Sequence, residues 1–342
     1  MTRFYVCGII LRRKITVLGD RMRNSLIKND ILMEISKGKI ISGGLLASKL
    51  GVSRTAVWKA VNALRAEGYF ITGLGGGYVL SPENTRLCGE QLKYDIRGAT
   101  IVFKEKTVST NEDIKTLAES GEAEFTVVVS RSQTGGKGRM GRSFYSFDGG
   151  LYFSVLLRPA LSADTCLKIT TAAAAAMAKA IEDISQKQTK IKWVNDIFIK
   201  GKKVCGILTE GVFDAENNQL KYAVLGIGVN VACPKNGFPV EIAETVDSLF
   251  EACRVPSLVY CALLNSFLEN LKGYYEDIES MPHIKEYRKR SFLDGKTVTY
   301  ERAGKTHTGV VCGIGDNAEL IVKEKGKEIS LLSGEVRIKD YE

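Results

Sequence analysis

The residues best suited to chemistry are the run Gly135-Gly136-Lys137-Gly138-Arg139-Met140-Gly141-Arg142, with Lys192-Trp193-Val194-Asn195-Asp196 and Lys203-Val204-Cys205-Gly206-Ile207 further along. Glycines let a backbone approach a ligand closely and turn its N–H groups toward it. The interleaved Lys137, Arg139 and Arg142 suit the neutralisation of phosphate or carboxylate. Lys192, Lys203 and Asp196 add two cations and a carboxylate. Such a set fits the activation of an acid by a nucleoside triphosphate. The run is not a Walker A loop, which needs Gly-x-x-x-x-Gly-Lys-Ser/Thr. On composition alone it also fits a solvated hairpin turn.

Resemblance separates these readings. Gln133 to Arg142 resembles the biotin-binding loop of the biotin–protein ligases. Lys192 to Leu208 resembles the second motif of that family. Gly226-Ile227-Gly228-Val229-Asn230 resembles its third, and Ser109-Thr110-Asn111 the motif that precedes the loop. Four motifs stand in family order over roughly residues 25 to 342, and the N-terminal part points to the subtype that is both ligase and biotin-operon repressor.

The resemblance implies a two-step reaction. Biotin and ATP give biotinyl-5′-AMP and pyrophosphate, with Mg²⁺ accompanying the nucleotide. A lysine of a biotin carboxyl carrier protein domain then takes the biotin and releases AMP. Positioning and charge stabilisation matter more here than acid–base groups. By resemblance, Ser109, Thr110, Asn111 and Gln133 bind the ureido ring of biotin. Lys137, Gly138 and Arg139 lie over the carboxylate and α-phosphate. Lys203 reaches both, so Lys203, Arg139 and Lys137 form the catalytic set. Gly226 and Gly228 leave room for the bicyclic ring. Arg142, Lys192, Asn195, Asp196 and Asn230 support the nucleotide, and Asp196 is the candidate Mg²⁺ ligand. Trp193 and Ile207 read as core. The adenylate would also serve as corepressor for operator DNA binding by a homodimer.

Three positions depart from the family pattern. Val194 replaces the usual proline, Lys137 stands where arginine is common, and residues 238–249 only partly match the adenine-side segment. A ligase with a vestigial DNA-binding unit, a sensor that never transfers its adenylate, and a lipoate-type ligase are the alternatives. The form of the Gly/Arg loop favours biotin, and intact Lys203, Asp196 and Arg139 favour transfer.

Charge shows where a second function would reside. Residues 1–80 hold 13 Lys and Arg against 4 Asp and Glu, so the whole net charge of +9 lies in the first quarter of the chain. A basic head on a neutral body fits nucleic-acid binding. Leu46, Ala47, Leu50, Val52, Val57, Ala60 and Val61 give helical spacing broken at Gly51, the pattern of a helix-turn-helix. Ser53 suits the N-cap of the second helix. That helix would turn Arg54, Thr55, Trp58, Lys59 and Asn62 toward DNA. Tyr69–Thr72 and Tyr78–Leu80, joined by glycines, read as a β-hairpin wing. Residues 1–24 do not fit this pattern. A start placed too far upstream, with Met22 as the true initiator, is expected there, or else a short ordered arm.

The expected architecture is α+β in three parts. A winged helix-turn-helix covers 25–82, a mixed-sheet catalytic domain 87–293 and an SH3-like β-barrel 294–342. Strands are expected at Phe125–Val129, Leu151–Leu157, Ile191–Ile199, Val204–Glu210 and Tyr222–Val231, with helices at Cys166–Ile184 and Val259–Ile278. Short strands between Gly turns from Lys296 to Ile338 would form the barrel. No apolar run approaches the roughly 20 residues of a membrane span, so no membrane partner is expected. The 8 cysteines form no C-x-x-C pair and read as scattered thiols in a reducing cytoplasm. His283 and His307, the only histidines, argue against a histidine metal site or base.

Overall fold

The computed structural model describes residues 26–159, 165–213, 220–302 and 304–339. The expectations for residues 1–24 lie outside that range. Two compact units are present: one reaches Asp95 and includes Pro256–Leu258, and the other comprises Ile96–Val255 and Val259–Glu342.

In the first unit, α1 runs through 26–35, followed by β1 (Ile41–Ser42), α2 (Gly43–Leu50), α3 (Arg54–Ala66), β2 (Ile71–Leu74), β3 (Gly77–Leu80) and α4 (Gly89–Asp95). The helix-turn-helix is α2 and α3. Gly51 ends α2 in the left-handed region at φ 64°, where a side chain would be strained, and its N–H caps the Ala47 carbonyl. Ser53 Oγ accepts from the Ala56 N–H at 3.1 Å and starts α3. Ile31, Ile35, Leu46, Val57 and Val61 form a dry core. The strands pair in the order β1-β3-β2, which gives the wing a third, short strand.

The second unit begins with β4 (Thr100–Lys104), α5 (Thr110–Glu119), β5 (Thr126–Ser130), β6 (Leu151–Leu157), α6 (Thr165–Ser185), β7 (Lys190–Lys192), β8 (Asp196–Ile199), β9 (Lys202–Phe213) and β10 (Leu220–Val229). The sheet order is β4-β5-β6-β10-β9-β8-β7. Only β4–β5 is parallel, so the sheet is mixed. Alternation along the strands gives the sheet two faces. One packs under α6 and α7 (Ser257–Tyr275): Phe153 meets Phe267 edge to face at 5.2 Å, and Thr209 bonds Thr170 at 2.7 Å. The alanine run of α6 is buried there, as tight helix–sheet packing requires. On the other face α5 covers Val128, Leu156, Tyr222 and Val224. Beyond the N-terminus of α5 that face carries Gly206, Gly226 and Gly228, with the side chains of Asn111 and Phe144 lying close over them.

One expected strand is two. Ile191–Ile199 folds as an antiparallel hairpin, β7 and β8, with Trp193, Val194 and Asn195 at its reversal. Apolar and β-branched residues made the segment look continuous. The chain turns because Trp193 Nε1 donates to the Ala318 carbonyl at 2.9 Å and Asn195 Nδ2 to the Ile207 carbonyl at 2.8 Å.

After α8 (Ile284–Arg290) come β11 (Thr297–Arg302), β12 (Lys305–Ile314), β13 (Leu320–Glu324), β14 (Lys327–Leu331) and β15 (Val336–Ile338). They form one antiparallel sheet in the order β14-β13-β12-β11-β15, the small β-module expected at this end.

Candidate functional site

These glycines lie in the floor of an open cleft. The cleft draws together Ser109, Thr110, Asn111, Gln133, Gly138 and Lys137. Arg139, Arg142, Lys192, Asn195, Asp196 and Lys203 line it as well, beside Gly226 and Gly228. Residues spread over more than a hundred positions therefore meet in one place. Asn230 does not line it. Its amide donates to the Asp247 carbonyl at 3.0 Å and its backbone bonds Val204 and Leu249, so it fastens the 245–250 segment beside β9.

At one end the groups are polar and neutral. Ser109 precedes α5, and Thr110 and Asn111 open its first turn, all three buried. Gln133 Oε1 accepts from the Thr110 N–H at 2.8 Å, and Gln133 Nε2 donates to Ser146 Oγ at 3.0 Å. Asn111 lies flat across β10: a Cβ on Gly226 would sit 2.1 Å from Asn111 Oδ1. A Cβ on Gly228 would sit 2.5 Å from the Phe144 ring. These glycines make room for protein side chains that build the floor, which refines the expectation that they only clear space for a ligand.

At the other end the groups are charged. Lys203 Nζ lies 2.7 Å from Asp196 Oδ1 and 5.9 Å from the centre of the Phe144 ring. Asn195 Nδ2 donates to the same Asp196 oxygen at 3.1 Å. Arg139 donates to Asn195 Oδ1 at 3.1 Å and to the Gly334 carbonyl at 2.6 Å. Arg142 pairs with Glu335. The Gly/Arg loop is thus clasped to the C-terminal sheet. Lys137 pairs with Glu112 on α5 at 3.0 Å. Burial pulls the Lys192 ammonium below its usual range, against the opposing pull of Asp196. Burial likewise lowers Arg139. Both cations are short of solvent and gain from an incoming anion.

Sequence reasoning missed Ser154, Glu210, Phe144 and Glu335. Glu210 was recoverable, since it shares the β9 face with Gly206 and Leu208 at period two. Glu335 carries no local signal, because its partner is Arg142 across the fold. Among the described residues no three His, Cys, Asp or Glu cluster as a metal site, and no helix is long and apolar enough to cross a membrane.

In the first unit Arg54, Thr55, Trp58 and Lys59 are exposed along one side of α3, and Asn62 is half-buried. Trp58 is 56% exposed, unusual for an indole.

A family model described as the biotin/lipoate A/B protein ligase family matches residues 104–230, and one described as an HTH domain matches 28–79. The bifunctional ligase/repressor BirA of Bacillus subtilis is 37% identical over 238 residues, 68% of this chain and 73% of that protein. The protein of the same description from Escherichia coli is 23% identical over 324 residues, 94% of this chain and all of the other. A biotin protein ligase from Aquifex aeolicus, solved with biotin and ATP, superposes with a TM-score of 0.58 at 26% identity, covering 70% of this chain and 98% of that one. The chain belongs to the biotin–protein ligase family. Within it, the helix-turn-helix unit and the matched relatives make it one of the bifunctional ligase/repressor proteins.

Proposed function

We propose that this protein is an ATP-dependent ligase that forms biotinyl-5′-AMP and transfers biotin to a lysine of a biotin carboxyl carrier protein domain. We propose further that the adenylate is the corepressor for operator binding by a homodimer, in the cytoplasm. The observation that carries the ligase reading is the two-ended cleft. A neutral hydrogen-bonding pocket at Thr110, Asn111 and Gln133 abuts a cluster of Arg139, Lys192 and Lys203 around Asp196.

The neutral end suits the cyclic urea of biotin, which offers a carbonyl and two N–H groups. The cationic end suits the carboxylate and the α-phosphate. In the first step a biotin carboxylate oxygen forms a bond to the α-phosphorus as the bond to pyrophosphate breaks. Lys203 and Arg139 lower the repulsion between the two anions and spread the charge of the transition state. In the second step the carrier amine attacks the acyl carbon, and AMP leaves with the bonding electrons. Lys137 assists Lys203 and Arg139 over the carboxylate and α-phosphate, and Arg142, Lys192, Asn195 and Asp196 hold the nucleotide. Asn230 supports it indirectly, through the segment ending at Asp247.

Mg²⁺ fits only as part of the nucleotide. Asp196 offers one carboxylate, and among the described residues no group of three His, Cys, Asp or Glu could hold the ion without the nucleotide. An ion carried on the phosphates, needing only one or two protein carboxylates, matches that donor set and would help neutralise the triphosphate.

The first step is tested by biotin-dependent exchange of labelled pyrophosphate into ATP. Exchange with biotin but not with lipoate is expected. Exchange with lipoate alone would transfer the assignment to the lipoate-type ligases.

A further inference from the structure

Glu210 projects from β9 onto the cleft face, behind the residues that form its neutral end. Its Oε2 accepts from Asn111 Nδ2 at 2.5 Å, and its Oε1 from Lys115 at 2.8 Å. Lys115 also contacts Glu112, which in turn holds Lys137 of the Gly/Arg loop. Burial opposes the charge of Lys115, but Glu210 and Glu112 outweigh it and hold the ammonium above its usual range.

The two ends of an asparagine amide are similar in shape and opposite in chemistry. Which end faces where is set by its neighbours. On one side Asn111 meets Ser154 Oγ at 2.6 Å, and Ser154 Oγ is also 2.7 Å from Thr110 Oγ1. A serine hydroxyl can donate or accept, so Ser154 would tolerate either end of the amide. A carboxylate only accepts. Glu210 therefore compels Asn111 to turn its NH₂ toward β9 and its carbonyl toward Ser154. Ser154 Oγ then donates to Asn111 Oδ1, and Gln133 Oε1 accepts from the Thr110 N–H at 2.8 Å. One acceptor-only group thus sets which end of the Asn111 amide faces each neighbour.

We infer that Glu210 is a positioning residue for biotin recognition: it fixes Asn111 so that the second Nδ2 hydrogen faces the cleft as a donor to an acceptor on the bound ring. This rests on the ligase reading above, and the carbonyl oxygen of the cyclic urea is the acceptor that chemistry provides. Glu210 touches no substrate and acts through Asn111.

The test is Glu210→Gln in the full chain, a change of one oxygen to nitrogen that lets both amides flip together. Loss of one oriented hydrogen bond predicts about ten- to hundredfold weaker biotin binding by calorimetry without ATP. The KM for ATP and the melting temperature are expected to stay near wild type. A second variant, Asn111→Asp with Glu210→Gln, restores a donor–acceptor pair between the two positions but presents an acceptor to the cleft. It is expected to keep its melting temperature and still bind biotin poorly. If that double variant recovers biotin affinity, or Glu210→Gln binds biotin as wild type does, the inference is overturned. Lys115→Met keeps the carboxylate and is expected to hold biotin affinity within about threefold. A tenfold loss there would assign the effect to charge instead. Wild-type protein that fails to bind biotin at all would overturn the ligase reading itself, and so is distinguished from failure at Glu210.

Discussion

Lys203 and Asp196, on the neighbouring strands β9 and β8, form an ion pair of 2.7 Å at the centre of the cationic end of the cleft. The pair keeps the lysine extended over the Phe144 ring, where an incoming carboxylate can reach it.

Lys203→Ala is expected to reduce biotin-dependent pyrophosphate release at least about a hundredfold, the cost of removing one charge-stabilising group from such a centre. The fold should persist, since both partners retain solvent contact. Wild-type release in this variant would remove Lys203 from the chemistry.

Gly226→Ala tests the floor of the cleft. The new methyl meets Asn111 Oδ1 and forces that side chain off the strand. Overpacking of this kind costs about 1–3 kcal/mol, so biotin should bind about ten- to hundredfold less tightly in calorimetric titration. Unchanged binding would mean that Asn111 plays no part in recognition.

Arg139→Gly cuts the loop from Asn195 and from the Gly334 carbonyl. Less well enclosed, the adenylate should escape and label bystander amines. Mass spectrometry of a mixture containing an unrelated lysine-rich protein checks this, and label confined to the carrier would count against retention by Arg139.

His283 makes stability pH-dependent. It is fully buried, Nε2 bonds Thr171 Oγ1 at 2.9 Å, and burial pushes the imidazole down to about 4. The unfolded chain binds a proton near pH 6.5 that the folded chain refuses. Stability is therefore complete above that pH and falls by about 1.4 kcal/mol per unit as pH drops from 6.5 toward 4. Urea melts of wild type and His283→Gln at pH 7, 6 and 5 should diverge in slope. Parallel slopes would show that the imidazole does not titrate in this window.

Many of the residues that line the cleft were legible because local motifs carry them. The hairpin at Trp193 was not, since its reversal is fixed by Ala318 and Ile207, distant in sequence. The helix-turn-helix could be read from Gly51 and Ser53, whose roles depend only on the adjacent turns. The clasp of Arg142 to Glu335 and the hold of Glu210 on Asn111 are tertiary pairings, which no window of sequence displays. Asn230 stands in a motif yet turns to Asp247, because proximity in sequence to Gly228 does not set the direction of a side chain.

Repression is expected to need two copies. One exposed α3 face offers too few base contacts for a rare site, and helix-turn-helix proteins read paired half-sites. Sedimentation should show a monomer becoming a dimer on addition of biotin and ATP; an unchanged monomer would contradict adenylate-driven pairing. Lys59→Ala should weaken operator binding on every sequence and lower its salt dependence by about one phosphate contact.

The most direct measurement is transfer itself. Full-length protein is incubated with labelled biotin, ATP, Mg²⁺ and a biotin carrier domain, with parallel reactions lacking ATP or using a carrier whose target lysine is arginine. Label on the carrier that requires both ATP and the lysine is the expected result. Formation of adenylate with no label on the carrier would contradict the ligase assignment and leave a sensor in its place.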